Sequence, residues 1–248
     1  IKRNINRKAH NLKFFEVGNC YWFNEQKHSP EAPIKAYTQD NHMALWVTGK
    51  RVEGSWAHPD EHSSVYELKA YVENIFRRVG VPQGMFVEKT SDNNIFDKAI
   101  TIENHGGKII AEYGIVNHKI LKSFDIEQQV FYADIDWQAL MKAVRKNKLE
   151  FKEISKFPAV SRDLALLVDE NVQFAQIEEI ARQTEKKLLK RVELFDVYTG
   201  DKLPSGKKSY AVNFILQDEN KTLNDKAIDA IMKKLIHQLT TKLKAELR

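Results

Sequence analysis

Hydrophobic and polar positions follow two rhythms along this chain, one of period two and one close to 3.6. LKFFEVGNCYWF, residues 12–23, is dense in aromatic and β-branched residues and predicts a long strand interrupted near Gly18. A loop follows to about Asn41, and MALWVTG, 43–49, predicts a second strand. Leu68, Val72, Ile75, Phe76 and Val79 recur at helical spacing and predict an amphipathic helix over 65–79. Beyond Gly80-Val81-Pro82, strands are expected at 85–88, 99–103, 108–116 and 130–135, joined by short Gly, Asn and His connections, of which Gly106-Gly107 reads as a hairpin turn. Asp136 is placed to cap a closing helix that runs to about Lys146. The simplest architecture for that order is an antiparallel sheet with helices packed against it.

The stretch 149–158 carries mixed charge and ends in Phe157-Pro158, which reads as a linker or a bridging strand. A second pattern then begins. Strands are predicted at 162–168, 191–198 and 208–217, helices at 175–187 and from 225 to about 244, a turn at 200–206, and a short edge strand at the last residues. Thr222-Leu223-Asn224-Asp225 resembles a capping box, and Ile228, Ile231, Leu235, Leu239 and Leu243 give the last helix its apolar stripe. The order β-α-β-β-α-β is that of a ferredoxin-like split unit, whose two helices cover one sheet face and leave the other bare. The expected fold class is therefore α+β, with two domains at 1–150 and 155–248.

Composition narrows the classes without choosing one. The 248 residues are 42% hydrophobic and 29% charged, which excludes a disordered tail, a collagen-like fibre and a disulfide scaffold. The single cysteine, Cys20, has no partner for an internal disulfide and reads as a small buried thiol on an apolar strand. No run of ~18 apolar residues is present to span a bilayer or direct secretion, so a soluble, cytoplasmic protein with no membrane partner is expected. Ile1 in place of Met suggests residues from inside a longer polypeptide. The net charge of +5 permits a polyanionic partner, and neither half is a charged arm: 155–248 holds 17 basic and 14 acidic residues, 1–154 holds 22 and 20.

Alternation sorts the C-terminal strands into faces. Leu164, Leu166 and Val168, Phe195 and Val197, and Tyr210, Val212, Phe214 and Leu216 form the denser apolar set and should meet the helices. The bare face then gathers Ala165, Asp196, Tyr198, Ser209 and Ala211. An unstacked RNA base can lie on Tyr198. Asp196, an acceptor only, can take hydrogen bonds from the N1 and N2 donors of guanine, and Ala165 leaves room for the ring. Arg162, Arg191, Lys207 and Lys208 are candidates for phosphate contacts.

FPAVSRDLALLVDENV (157–172), LFDVYTGDKLPSGKKSYAVNFILQD (194–218) and KTLND (221–225) resemble, in order and spacing, the ferredoxin-fold anticodon-binding domain that ends bacterial phenylalanyl-tRNA synthetase β subunits. The resemblance implies that Asp196 and Tyr198 receive the first anticodon base, a guanine, of tRNA-Phe, with Ala165 and Ser209 at the family's other contact positions. Asn6-Arg7, LKFFEVG (12–18), LWVTGKR (45–51), Trp56, YELKAYVE (66–73) and KSFDI (122–126) are similar to the end of the same family's catalytic-like module, a degenerate class II synthetase core on an antiparallel sheet. Two segments depart from the family pattern: Ile95-Phe96-Asp97-Lys98 where a His-Pro-Gly-Arg run is common, and Gly114-Ile115-Val116-Asn117-His118 where a Gly-Glu-Leu-His-Pro run is common.

Adenylate chemistry in a class II core needs arginines aimed at ATP phosphates, and residues 12–23 contain none. No catalytic residue is expected in this chain. The resemblance places the active site, with its ATP and magnesium, on a separate catalytic α subunit of an α2β2 assembly, and leaves this chain as scaffold and RNA reader with no cofactor of its own. His58-Pro59-Asp60-Glu61-His62 lacks the order and the third ligand of a metal motif and reads as a polar loop. A ferredoxin-like regulatory module that binds a small molecule, fused to a scaffold, is the alternative.

Overall fold

The computed structural model describes residues 1–82, 84–147 and 153–248. Two compact units result, Ile1–Glu150 and Phe151–Arg248. In the first, a short helix α1 (Lys2–Ile5) precedes strands β1 (Leu12–Phe23), β2 (Tyr37–Thr48), β3 (Lys50–Val52) and β4 (Glu61–His62). Helix α2 (Val65–Arg78), strands β5 (Phe86–Ser91), β6 (Phe96–Asn104) and β7 (Ile109–Val116), helix α3 (His118–Ser123), β8 (Val130–Asp136) and α4 (Trp137–Val144) complete it. Six strands form one sheet in the order β1-β2-β8-β7-β6-β5, antiparallel throughout, while β3 and β4 make a separate hairpin.

Local chemistry sets these elements. The Ser64 hydroxyl accepts from the Glu67 N–H to start α2, and Gly80, at φ 82°, follows its end. The Asp136 carboxylate accepts from the Ala139 N–H at 2.7 Å to start α4. Leu68, Val72 and Phe76 of α2 and Ala139 and Leu140 of α4 bury against Leu45, Val47, Tyr113, Phe131, Ala133 and Ile135 of the sheet. On the other sheet face Tyr132 stacks between Trp46 and Phe96, with ring centroids 5.3 and 5.8 Å away. Burial there pushes the Tyr132 phenol up to about 12.

Three expectations change in this unit. β1 is not interrupted at Gly18: every residue from Leu12, opposite Thr48, to Phe23, opposite Tyr37, stays in register. Its partner begins at Tyr37 rather than 43, because YTQDNH, exposed at 37–39 and half-buried at 40–42, pairs through the backbone and needs no apolar face. Cys20 is exposed rather than buried, because β1 is the sheet edge and pairs on one side only. The two segments that depart from the family pattern meet each other: the Asp97 carboxylate accepts from the His118 N–H at 3.1 Å and lies 3.1 Å from its Nδ1.

The second unit runs β9 (Val160–Asp169), α5 (Phe174–Thr184), β10 (Leu189–Tyr198), β11 (Lys207–Leu216), α6 (Asp225–Leu243) and β12 (Glu246–Leu247). The sheet order β10-β11-β9-β12 and the connections are those of a split β-α-β unit. The stretch expected as linker or bridging strand lies partly outside the described residues, and 153–159 form no strand. The Asn224 side chain caps α6 by accepting from the Ala227 N–H at 2.9 Å, within the predicted start. Ile177, Ile180 and Ala181 of α5 and Ile228, Ile231, Leu235 and Leu239 of α6 bury against Leu166, Val168, Tyr210, Val212, Phe214 and Leu216. One sheet face is thereby filled, and among the described residues no element of this unit packs its core on the other.

Candidate nucleic-acid interface

Register fixes what the second face carries. Val212, buried against the helices, lies opposite Leu164 of β9 and Leu194 of β10, so the residues one step away face outward. Ala211 lies opposite Ala165 on one side and Asp196 on the other, and Ser209 lies opposite Leu167 and Tyr198. All five predicted platform residues therefore share one face.

A β-bulge makes this so. The β10–β11 register shifts between Leu194 and Asp196, leaving Phe195 as the extra residue. Val192 and Leu194 point to the helices, and unbroken alternation from them would have sent Asp196 and Tyr198 to the same buried side. The bulge reverses the phase. It also corrects one expectation: Phe195 and Val197 do not join the core and remain 61% and 47% exposed, because β10 runs past the helices after the bulge.

Within the platform, Ala165 and Ala211 are half-buried and Ser209 is buried, forming a floor of small side chains. Asp196 is exposed, and among the described residues no side chain donates a hydrogen bond to its carboxylate. Tyr198 rises at the edge, 37% exposed. Its ring lies against Gly200, where a Cβ would come within 2.6 Å of the phenol oxygen and 2.7 Å of Cζ. Only glycine lets the ring take this position. The Arg248 guanidinium lies over the same ring, 5.6 Å from its centroid.

The predicted cations divide. Lys207 is on the platform face, where its Nζ lies 2.9 Å from Asp169 and 3.8 Å from Glu246, and the bond to Asp169 raises its pKa. Arg191, opposite Ile215, is on that face at the far end of β10, paired with Glu193. Arg162, opposite Phe214, and Lys208, opposite Val168, are on the helix side. Arg162 reaches Asp225 at 3.7 Å and Lys208 lies over the Tyr210 ring at 4.8 Å, so neither shares the platform. Gly200 and Arg248 escaped the sequence reading. The one signal for Arg248 was register: a strand ending in Glu-Leu-Arg beside β9 sets Arg248 level with Ala165, whose carbonyl accepts its N–H at 3.0 Å.

The outer strand of the first unit presents a different surface. Phe15, Val17, Tyr21 and Phe23 are 51–74% exposed along β1, and Tyr37 beside Phe23 is 56% exposed. Deeper in, the Glu67 carboxylate is almost fully buried and accepts from Lys13 and from Tyr71, both at 2.8 Å. Burial pushes that carboxyl up, but these donors outweigh it and hold it below the usual carboxylate range.

Among the described residues no helix is long and apolar enough to cross a membrane, and no three His, Cys, Asp or Glu side chains gather as a metal's ligands.

The model of the ferredoxin-fold anticodon binding domain matches residues 155–248, and that of the phenylalanyl tRNA synthetase beta chain CLM domain matches 1–137. Among curated relatives, the phenylalanine–tRNA ligase beta subunit of Bacteroides thetaiotaomicron is 59% identical over the whole chain, that of Porphyromonas gingivalis 48% and that of Syntrophotalea carbinolica 34%. In each case the match spans 30% of the relative's own length. The fold, the two matched regions and these identities agree that the chain belongs to the phenylalanyl-tRNA synthetase β-chain family.

Proposed function

We propose that the second unit reads a guanine at the first anticodon position of tRNA-Phe, and that the first unit is a noncatalytic scaffold for a catalytic α subunit. The two act within a cytoplasmic α2β2 ligase. The observation that carries this reading is the placement of Asp196 and Tyr198 on one uncovered sheet face, beside a floor of alanines and a serine. The base stacks on Tyr198 while Asp196 accepts from its N1 and N2 donors, a pairing that adenine, cytosine and uracil cannot reproduce with the same edge. Stacking contributes ~1–3 kcal/mol, so the platform discriminates while affinity rests on contacts elsewhere in the assembly.

The exposed aromatic residues of β1 support the scaffold assignment. A twelve-residue edge strand with one ladder side unpaired and large apolar side chains in solvent is a surface built to be covered. ATP and magnesium are assigned to the partner. β1 carries no arginine that could meet ATP phosphates. The exposure of Tyr198 on an open face favours a base platform over an enclosed small-molecule site. The test compares binding of tRNA-Phe with a transcript exchanged at the first anticodon base. Discrimination present in the native protein and lost in Asp196→Asn, with binding of both transcripts weakened in Tyr198→Ala, supports the reading; equal affinities of the native protein for the two transcripts refute it.

A further inference from the structure

We propose that Arg248 is the second jaw of a clamp, so that the incoming base is held between its guanidinium and the Tyr198 ring. This rests on the platform reading above and adds to it a specific positioning residue. Leu247 lies opposite Leu166, and the Arg248 N–H is bonded to the Ala165 carbonyl, so strand alternation directs the Arg248 side chain to the platform face. β12 and β10 are the two outer strands of the sheet, three spacings of about 4.8 Å apart. For the guanidinium to come within 5.6 Å of the Tyr198 centroid, the two side chains must reach toward each other above β9 and β11. Ala165, Ala211 and Ser209 are small enough to let them, and a larger residue at any of these positions would stand in the way.

The two side chains meet in a cation–π contact whose parts can move. A base stacks at about 3.4 Å from each neighbour, so a base held on both sides needs its flanking planes about 6.8 Å apart. The guanidinium carbon lies 5.6 Å from the ring centroid, so the arginine must shift over the ring to admit a base between them. Opening falls on a flexible arginine stem and on β12, a strand of only two residues whose Leu247 is 54% exposed. A guanidinium is planar, weakly hydrated and stacks on aromatic rings and bases alike, whereas an ammonium of the same charge has no plane to offer. In the free protein the cation–π contact therefore holds the arginine beside the Tyr198 ring, ready to close over a base that enters between them.

The clamp grips any base, because every base has a π-face; selection of guanine stays with Asp196. That separation supplies the test. Anticodon stem-loop RNAs carrying each of the four bases at the first anticodon position are titrated against the full-length β subunit assembled with its α partner, as native protein, Arg248→Ala, Arg248→Lys and Tyr198→Ala. The expected result is about tenfold weaker binding by both Arg248 variants, by the same factor for all four RNAs, with the preference for guanine kept. Native-like binding by Arg248→Lys would reduce the arginine to a phosphate-directed charge and overturn the clamp. Loss of guanine preference in Arg248→Ala would make it a reader of the base edge, which also overturns it. If Tyr198→Ala weakens binding and Arg248→Ala does not, the platform stands without the clamp. If Tyr198→Ala has no effect either, the base-reading function itself fails.

Discussion

Replacing Gly200 by alanine tests whether the Tyr198 ring must lie where it does. The added Cβ would stand 2.7 Å from Cζ and 2.6 Å from the phenol oxygen. Carbon contacts are comfortable at about 3.5–4.0 Å, so the ring must withdraw by at least ~0.8 Å. Nothing in the fold opposes that movement strongly, since Tyr198 is 37% exposed and outside the core. The stability cost should accordingly stay within about 1 kcal/mol. Binding should suffer more, because a tilted ring no longer presents its plane to the base. Complete loss of a stack worth ~1–3 kcal/mol corresponds to roughly 5- to 150-fold in Kd, which bounds the effect from above. Fluorescence anisotropy with a labelled anticodon stem-loop measures binding, and thermal unfolding of the same samples measures stability. The decisive comparison is the double variant. Once Tyr198→Ala has removed the ring, the Cβ at position 200 has lost the atoms it met, so Gly200→Ala should cost nothing further. Full additivity of the two losses, or native binding by Gly200→Ala alone, would refute the reasoning.

Two other outcomes follow from the first unit. The Glu67 carboxyl is held below its ordinary value by Lys13 and Tyr71 against the opposing effect of burial. A depressed pKa means that its stabilisation is complete above the unfolded carboxylate value of about 4.3 and disappears as pH falls through the folded value below it. Glu67→Gln should cost about 1–2 kcal/mol at neutral pH, a figure discounted because Lys13 is half exposed, and should flatten the acid limb of the stability curve. Urea unfolding between pH 7 and pH 3 checks this, and identical slopes in the two proteins would contradict it. Phe15→Asp, at a position 74% exposed on β1, should leave unfolding unchanged yet weaken assembly with the α subunit at least about tenfold in analytical ultracentrifugation. Unaltered assembly would place the partner on another surface.

Much of the fold was legible because burial writes itself into period and spacing. The stripe from Ile228 to Leu243 became α6, and the Asp136 cap became the start of α4. Where burial is absent the sequence is silent: residues 37–42 pair with β1 and none of them is buried, and their polarity conceals a strand. The hairpin β3–β4 and helix α3 are short and bury no apolar residue, so no periodicity marks them. The platform is the instructive case. The two-residue period of FDVY puts Asp196 and Tyr198 on the outward face, while Val192 and Leu194 of the same strand argue for the opposite phase. The bulge at Phe195 reconciles the two, and nothing in the local residue types announces it. The turn at Gly200 and the short final strand are both legible in the sequence, but the contacts that Gly200 and Arg248 make with Tyr198 are not, because they join residues far apart along the chain or set by side-chain reach.

The central claim is that the Asp196 carboxylate reads the donor edge of a guanine stacked on Tyr198. Inosine differs from guanine only by lacking the N2 amino group, so the ratio of the two affinities isolates one donor. In tRNA-Phe carrying either base at the first anticodon position, the native protein should bind guanine more tightly by roughly 10-fold, the value of a hydrogen bond to a charged acceptor at about 1.5 kcal/mol. Asp196→Asn should bring that ratio close to one. An unchanged preference in Asp196→Asn, or no preference in the native protein, would contradict the account.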